Sequence, residues 1–157
     1  GLPYVGDWGY GDTRSWIANR DGTISYCSRV GLGAQVRCDT YNGTTWTSSV
    51  SAGTDLGYDT DRAFLPSKWG PAECGRAGET TSQGLVCNIK TATGWVRTGL
   101  PYVGDWGYGD TRSWIANRDG TISYCAAVGS GDQLRCDTYN GTTWVSSTSP
   151  GTDLGYK

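Results

Sequence analysis

Side chains that enzymes use for catalysis are scarce in this chain. None of the 157 residues is a histidine, so Ser–His and Cys–His nucleophile pairs cannot form. Acid pairs such as Asp7 with Asp12 could in principle hydrolyse glycosidic bonds. The same acids recur as Asp105 and Asp110 in Gly-rich, turn-like surroundings, where aspartate commonly caps backbone amides. The sequence therefore predicts a protein that is not an enzyme and needs no cofactor.

One duplicated cluster combines the residue types that bind sugars. An aromatic ring stacks on the apolar face of a pyranose, while neighbouring charged groups bind its hydroxyls. Here a Trp, a Tyr, an Asp and an Arg follow each other closely, and the set returns 98 positions later. The members are Trp8, Tyr10, Asp12 and Arg14, and then Trp106, Tyr108, Asp110 and Arg112. The cluster predicts a glycan or a cell-surface polysaccharide as ligand, although it could instead pack neighbouring repeats.

Six cysteines fall in three pairs, and each pair is symmetric about a loop. A hairpin with that loop at its tip places the two cysteines opposite each other, at a separation that a disulfide can bridge. The predicted bonds are Cys27–Cys38, Cys74–Cys87 and Cys125–Cys136. A zinc site is the weaker interpretation, because the spacing is long and histidine is absent, and we expect no metal. Disulfides are typical of oxidising compartments and predict a secreted, extracellular protein.

A long internal repeat is the strongest pattern in the chain. Residues 1–58 and 99–156 are identical at 50 of 58 aligned positions. The stretch between them is a diverged third copy, because its second Cys and its Trp continue the others at steps of 49 residues. The predicted repeats are 1–49 (A1), 50–98 (B), 99–147 (A2) and, at 148–157, the start of a further B-type repeat. Together they form one repeat domain.

Turn signals divide each repeat into four short strand-like runs. In A1 these runs are Arg14–Ala18, Thr23–Val30, Gln35–Tyr41 and Thr44–Val50. Asp-Gly and Asn-Gly pairs between them are typical of β-hairpins. The predicted fold is all-β, with tandem four-stranded antiparallel blades that each hold one disulfide. The two sets of aromatic residues that recur at fixed places are expected to form the core between sheets: Trp16, Phe64 and Trp114, and Trp46, Trp95 and Trp144.

The order of motifs resembles the secreted bacterial FG-GAP/VCBS-type repeats. Tyr-Cys-x-x-Val-Gly (26–31), Cys-x-x-x-x-Gly-Thr-x-Trp (38–46) and Gly-Tyr-Asp-Thr-x-Arg-Ala-Phe (57–64) carry the resemblance. It implies β-propeller blades, here three and a partial one, in a lectin-like or adhesive protein or appended to a secreted hydrolase. The calcium loop of those repeats is degenerate at 17–25, where Ser25 replaces the last carboxylate, so we expect no calcium.

Several interpretations stay open on the sequence alone. A propeller closes with about four to eight blades, so the repeats could complete a ring with other chains, form an open array, or adopt a different closed fold such as a β-trefoil. The leading hypothesis is a carbohydrate-binding or adhesive module. The alternatives are a fibre or scaffold that self-associates through its repeat ends, and an accessory domain of a secreted hydrolase.

Other partners and modifications are less favoured by the composition. The net charge is −2 and no basic patch indicates nucleic acid. No apolar run is long enough for a membrane span. Asn42 and Asn140 begin N-glycosylation motifs, which matter only in a eukaryote, and the Asn-Gly turns explain them without a glycan.

Overall fold

A computed structural model describes residues 14–30, 35–52, 62–77, 84–100, 112–128 and 133–150. These residues form three four-stranded antiparallel sheets, in each of which consecutive strands pair. Sheet 1 contains β1 (Arg14–Ala18), β2 (Ile24–Val30), β3 (Gln35–Tyr41) and β4 (Trp46–Val50). Sheet 2 contains β5 (Ala63–Ser67), β6 (Gly70–Ala77), β7 (Gly84–Thr91) and β8 (Gly94–Leu100). Sheet 3 contains β9 (Arg112–Ala116), β10 (Ile122–Val128), β11 (Gln133–Tyr139) and β12 (Trp144–Thr148).

The hairpin turns form where the dipeptide signals predict them. Gly22 and Gly43 have φ of 85° and 99°, which a residue with a Cβ adopts only at a cost. The Asp21 carboxylate accepts the backbone N–H of Thr23 at 3.0 Å. The Asn42 side-chain oxygen accepts the N–H of Thr44 at 2.9 Å in the same way. Short polar side chains therefore satisfy the backbone of each turn, and the prediction of an all-β fold is confirmed.

Each sheet holds one disulfide across its two central strands. The bonds are Cys27–Cys38, Cys74–Cys87 and Cys125–Cys136, as predicted. In every case the two cysteines are direct cross-strand partners, with their Cα atoms 4.1 Å apart. A bond that closes so short a loop contributes about 3 kcal/mol in the chain-entropy estimate. The disulfides indicate an oxidising environment.

The pleat gives each sheet two chemically different faces. Directly paired residues lie on one face, and the faces alternate along every strand. We call front the face that carries the ring of the first strand, which is Trp16, Phe64 or Trp114. We call back the face that carries the disulfide. In sheet 1, Tyr26 lies opposite Trp16 on the front, and Cys27 lies opposite Ser15 on the back.

Sheets 1 and 2 meet through the back of the first and the front of the second. Ile17, Val36 and the Cys27–Cys38 bond on the back of sheet 1 are almost fully buried. Phe64 and Trp95 from the front of sheet 2 pack against them. This contact therefore removes apolar area from water on the back of sheet 1 and on the front of sheet 2.

Sheets 2 and 3 repeat the same arrangement. A second core lies between the back of sheet 2 and the front of sheet 3. Its members from sheet 2 include Cys74, Leu85, Cys87 and Ile89. The front-face members from sheet 3 are Trp114, Ile122, Tyr124 and Tyr139. Both junctions therefore place the back of one sheet on the front of the next.

The first strands of the three sheets lie side by side in the order β1, β5, β9. Within the described residues the sheets stay separate and no closed barrel or propeller is present. The prediction of tandem four-stranded antiparallel sheets is thus confirmed, while closure into a propeller stays a prediction, as do the repeat boundaries.

The predicted aromatic core is correct for four of its six positions. Phe64, Trp95, Trp114 and Trp144 lie in the two inter-sheet cores, whereas Trp46 is half-buried on the front of sheet 1, outside both cores. Trp16 departs from the prediction, because its side chain is 64% exposed whereas Trp114 is 8% exposed. The physical reason is that the described residues put no sheet in front of sheet 1.

Candidate functional site

Most of the predicted sugar cluster lies outside the described residues. This applies to Trp8, Tyr10, Asp12, Trp106, Tyr108 and Asp110. Arg14 and Arg112 begin β1 and β9, which fixes their backbone positions only. The acid pair Asp7 and Asp12 also falls outside. The sugar site therefore stays a prediction, as does the start of a further repeat at 148–157.

In the loop that resembles a degenerate calcium site, the side chains of Asp21, Thr23 and Ser25 form hydrogen bonds within the loop. The Asp21 carboxylate accepts the Thr23 hydroxyl at 2.7 Å in addition to the Thr23 N–H. The Asn19 amide donates to Thr23 Oγ1 at 2.9 Å and to Ser25 Oγ at 2.7 Å. The bond from the Thr23 hydroxyl is the main reason that the pKa of Asp21 is lowered. These oxygens stabilise the turn.

Clustered metal-ligand side chains and membrane-spanning helices are both absent from the described residues. No group of three or more His, Cys, Asp or Glu side chains is placed to hold a metal ion in that part of the chain. No helix there has the length and apolar character needed to span a bilayer. The glycosylation motifs at Asn42 and Asn140 lie at exposed turns, where each Asn oxygen caps the backbone.

The front of sheet 1 is an exposed aromatic surface and is the first half of the candidate site. Trp16 is 64% exposed and Ile24 is 46% exposed. The Trp16 ring lies 4.9 Å from Tyr26 and 6.4 Å from Trp46, centroid to centroid. Trp46 in turn lies 5.2 Å from Tyr41. A contiguous apolar patch of this kind is typical of a surface that binds a partner.

Sheet 3 has the same front surface, but there it is buried. The rings of Trp114 and Tyr124 lie 4.9 Å apart, and those of Trp114 and Trp144 lie 6.3 Å apart. Ile122 and Tyr124 have no exposed area. Ring spacing is thus nearly the same whether or not a sheet covers the face. The open face of sheet 1 is already arranged as the covered one is.

The back of sheet 3 is the second half of the candidate site. Ile115, Leu134 and Val145 on this face are 41%, 37% and 53% exposed. The counterparts of Ile115 and Leu134 in sheet 1, Ile17 and Val36, are 2% and 1% exposed because sheet 2 covers them, whereas Thr47, the counterpart of Val145, is exposed in sheet 1 as well. Among the described sheets, the front of sheet 1 and the back of sheet 3 are therefore the two open faces.

A hydrogen bond recurs at both sheet junctions. The indole N–H of Trp95 donates to Ser49 Oγ at 2.8 Å, and that of Trp144 donates to Thr98 Oγ1 at 3.1 Å. Each tryptophan reaches the hydroxyl 46 residues earlier, on the back of the preceding sheet. At the two open faces the equivalent groups are Trp46 and Ser147. The sequence analysis did not predict this pairing, although two sets of residues each recur at steps of 49: Trp46, Trp95 and Trp144, and Ser49, Thr98 and Ser147.

A buried ion pair fastens sheet 1 to sheet 2. The Glu73 carboxylate on the front of sheet 2 lies 3.5 Å from the Arg29 guanidinium on the back of sheet 1. The Arg62 guanidinium lies at the same distance, and the Glu73 side chain has no exposed area. The sequence held one signal for this contact, which is that Arg29 is replaced by Ala127 in the otherwise near-identical repeat A2.

The turn between β5 and β6 fastens sheet 2 to sheet 3. The N–H of Lys68 donates to the Gly120 carbonyl at 2.9 Å. The Trp69 ring lies 5.2 Å from that of Tyr139. The Arg20 guanidinium of sheet 1 reaches further and donates to the Arg118 carbonyl at 2.9 Å. The first hairpin turns of all three sheets therefore lie at the same end of the stack.

The small cavity between sheets 2 and 3 does not suit a sugar. Its volume is about 80 Å³, and Trp69, Ile89, Val96 and Tyr139 line it. Sites for small ligands are usually about 300–1,000 Å³. The two open faces are therefore the strongest candidate functional surfaces in the described residues.

Comparison of the chain with family models, with curated proteins and with solved structures finds no match. The resemblance to FG-GAP/VCBS-type repeats accordingly stays a prediction.

Proposed function

We propose that this chain is a secreted, non-enzymatic structural module that acts by self-association through its two open sheet faces. One observation carries the proposal: an aromatic surface that is buried at a sheet junction in sheet 3 is present, with the same ring spacing, and open in sheet 1. Apolar faces of this kind gain free energy when a partner removes them from water.

The disulfide in each sheet supports an extracellular scaffold role. Small sheets bury little apolar surface on their own, and a cross-link offsets part of that deficit. Each sheet can then keep its face in order before a partner covers it. Preorganisation of this kind lowers the entropy cost of association.

The order of the first strands supports a propeller-like arrangement. Consecutive propeller blades pack face to face around an axis lined by their first strands, and here β1 lies beside β5, and β5 beside β9. The three described sheets are fewer than the four to eight blades that usually close a ring. Sheets from other copies would supply the rest.

Sedimentation velocity over a wide concentration range tests the proposed function. We expect the mean mass to rise with concentration, and Trp16→Glu to reduce this rise because it buries a charge in the contact. The matched control is Ala92→Glu, which adds the same charge at an exposed turn of sheet 2. A wild-type chain that stays monomeric throughout would refute the proposed function.

The carbohydrate-binding hypothesis depends on residues outside the described part of the chain and stays a prediction. Association would multiply its sites and raise their avidity, so the two roles are compatible. The hypothesis of an accessory domain likewise stays open.

A further inference from the structure

We infer that the partner is a second copy of this chain, whose sheet 1 seats its front on the back of sheet 3 of the first copy. The inference rests on the proposed function and specifies which surfaces meet. In this arrangement the Trp46 indole N–H of one copy donates to Ser147 Oγ of the other. The contact continues the back-to-front stacking of both internal junctions.

The recurring tryptophan bond supports this pairing. The donors are Trp95 and Trp144, and the acceptors are Ser49 and Thr98. At the open faces, the described residues give Trp46 no hydrogen-bond acceptor for its indole and Ser147 no side-chain partner, while Ser147 is exposed. A donor at one end and an acceptor at the other are complementary only if front meets back. Two fronts would bring together two donors.

Differences between the two A repeats support a second sheet 1, and not another B-type sheet, as the occupant. Arg29 on the back of sheet 1 pairs with Glu73 of the B repeat. Sheet 3 has Ala127 in place of that arginine, so a glutamate at this contact would lack one of the two guanidinium groups that lie beside Glu73. In sheet 1 the position of Glu73 is taken by Tyr26, since each lies opposite the front ring of the first strand. A tyrosine at this contact needs no charged partner.

Two other differences on the back face change it in the same direction. Val36, which sheet 2 buries, becomes Leu134, and Thr47, which is exposed in sheet 1, becomes Val145. The exposed back of sheet 3 is thus more apolar than the covered back of sheet 1. A face that faced only water would gain nothing from this change, whereas one that packs on the aromatic front of sheet 1 would.

The contact is heterologous, because two different surfaces meet. Repetition of such a contact gives a closed ring or an open filament. Two copies that each contribute the three described sheets and use both contacts would form a ring of six sheets, which lies within the usual size of propellers.

A mixing experiment tests which faces meet. Trp16→Glu blocks the front and Leu134→Glu blocks the back; both residues are exposed, whereas their counterparts at the internal junctions, Trp114 and Val36, are buried. Circular dichroism and non-reducing mass analysis establish that each variant folds with its three disulfides. We expect each blocked variant to be monomeric alone and the two to form a one-to-one complex when mixed, since one front and one back remain.

The other outcomes are decisive in different ways. If Leu134→Glu alone associates as well as the wild type, fronts meet fronts and the inference is wrong, although the proposed function stands. If the two blocked variants do not combine while the wild type associates, the inference is also wrong. A wild type that never associates refutes both.

The hydrogen bond is tested by a double-mutant cycle at the contact. Trp46→Phe keeps the ring and removes the N–H, and Ser147→Ala removes the acceptor. Each change should weaken association about 2- to 10-fold, and the pair together no more than either alone. Ser49→Ala, the equivalent change at an internal junction, is the control and should leave association unchanged. Additive losses at Trp46 and Ser147 would overturn the assigned bond.

Discussion

Replacement of Trp114 by alanine should destabilise the protein much more than replacement of Trp16. The two tryptophans lie within identical sequence, since residues 99–125 repeat residues 1–27. They differ in their surroundings, because sheet 2 covers the front of sheet 3 and nothing in the described chain covers the front of sheet 1. Trp114 is 8% exposed and Trp16 is 64% exposed.

The exposed fractions give the expected size of the difference. A tryptophan side chain carries about 200 Å² of surface, and burial contributes about 25 cal/mol per Å². Loss of the Trp114 ring should then lower the free energy of unfolding by about 4–5 kcal/mol. Loss of the Trp16 ring should lower it by about 2 kcal/mol. The difference of about 3 kcal/mol is more reliable than either value, because both variants share the same unfolded reference.

Urea unfolding followed by far-ultraviolet circular dichroism measures this difference. The disulfides must stay oxidised, and the protein must be dilute enough to be monomeric, since association would cover Trp16. Equal losses for the two variants, within about 1 kcal/mol, would refute the front-to-back stacking from which the difference follows.

Four further outcomes are expected. Gly120→Ala should destabilise more than Gly22→Ala by about 1–3 kcal/mol, because a Cβ at Gly120 would lie 2.5 Å from the Lys68 side chain of sheet 2 whereas Gly22 is open, and thermal melts compare them. Glu73→Ala should cost about 3–5 kcal/mol in urea unfolding, because it removes the buried carboxylate that lies 3.5 Å from two guanidinium groups. The Thr121 hydroxyl lowers the pKa of Asp119. The stability that this carboxylate contributes is therefore present above about pH 4 and is lost as the pH falls further. Asp119→Asn should make the free energy of unfolding depend less on pH in this range, which unfolding measured against pH would show. Trp8→Ala should abolish binding in a glycan titration if the sugar hypothesis holds, and titrations without any binding by the wild type would remove that hypothesis.

The local structure could be predicted because its causes are local. Alternation along the strands and the Asp-Gly and Asn-Gly turns fix the hairpins, and symmetry about the loop fixes the disulfides. The turn between β5 and β6 was not predicted, because it lacks such a dipeptide. There Ser67 Oγ accepts the N–H of Gly70 at 3.2 Å and donates to the Gly70 carbonyl at 2.7 Å.

The contacts between sheets could not be predicted from one repeat at a time. Trp16 and Trp114 have the same neighbours in sequence, so only the position of each repeat in the stack decides which ring is buried. The Arg29–Glu73 pair was accessible in principle, because a charged residue that differs between near-identical copies marks a specific neighbour. The sugar cluster depends on residues that the structure does not describe, so its prediction is unchanged.

Hydroxyl-radical footprinting of the dilute monomer tests the stacking of the sheets most directly. Cleavage at arginine after reduction gives distinct peptides for the two A repeats, Asp21–Arg29 and Asp119–Arg135. Ile24 is 46% exposed and Tyr26 is half-buried, whereas Ile122 and Tyr124 have no exposed area. We expect labelling at Ile24 and Tyr26 and protection at their copies in sheet 3. Equal labelling of the two peptides would contradict the front-to-back stack.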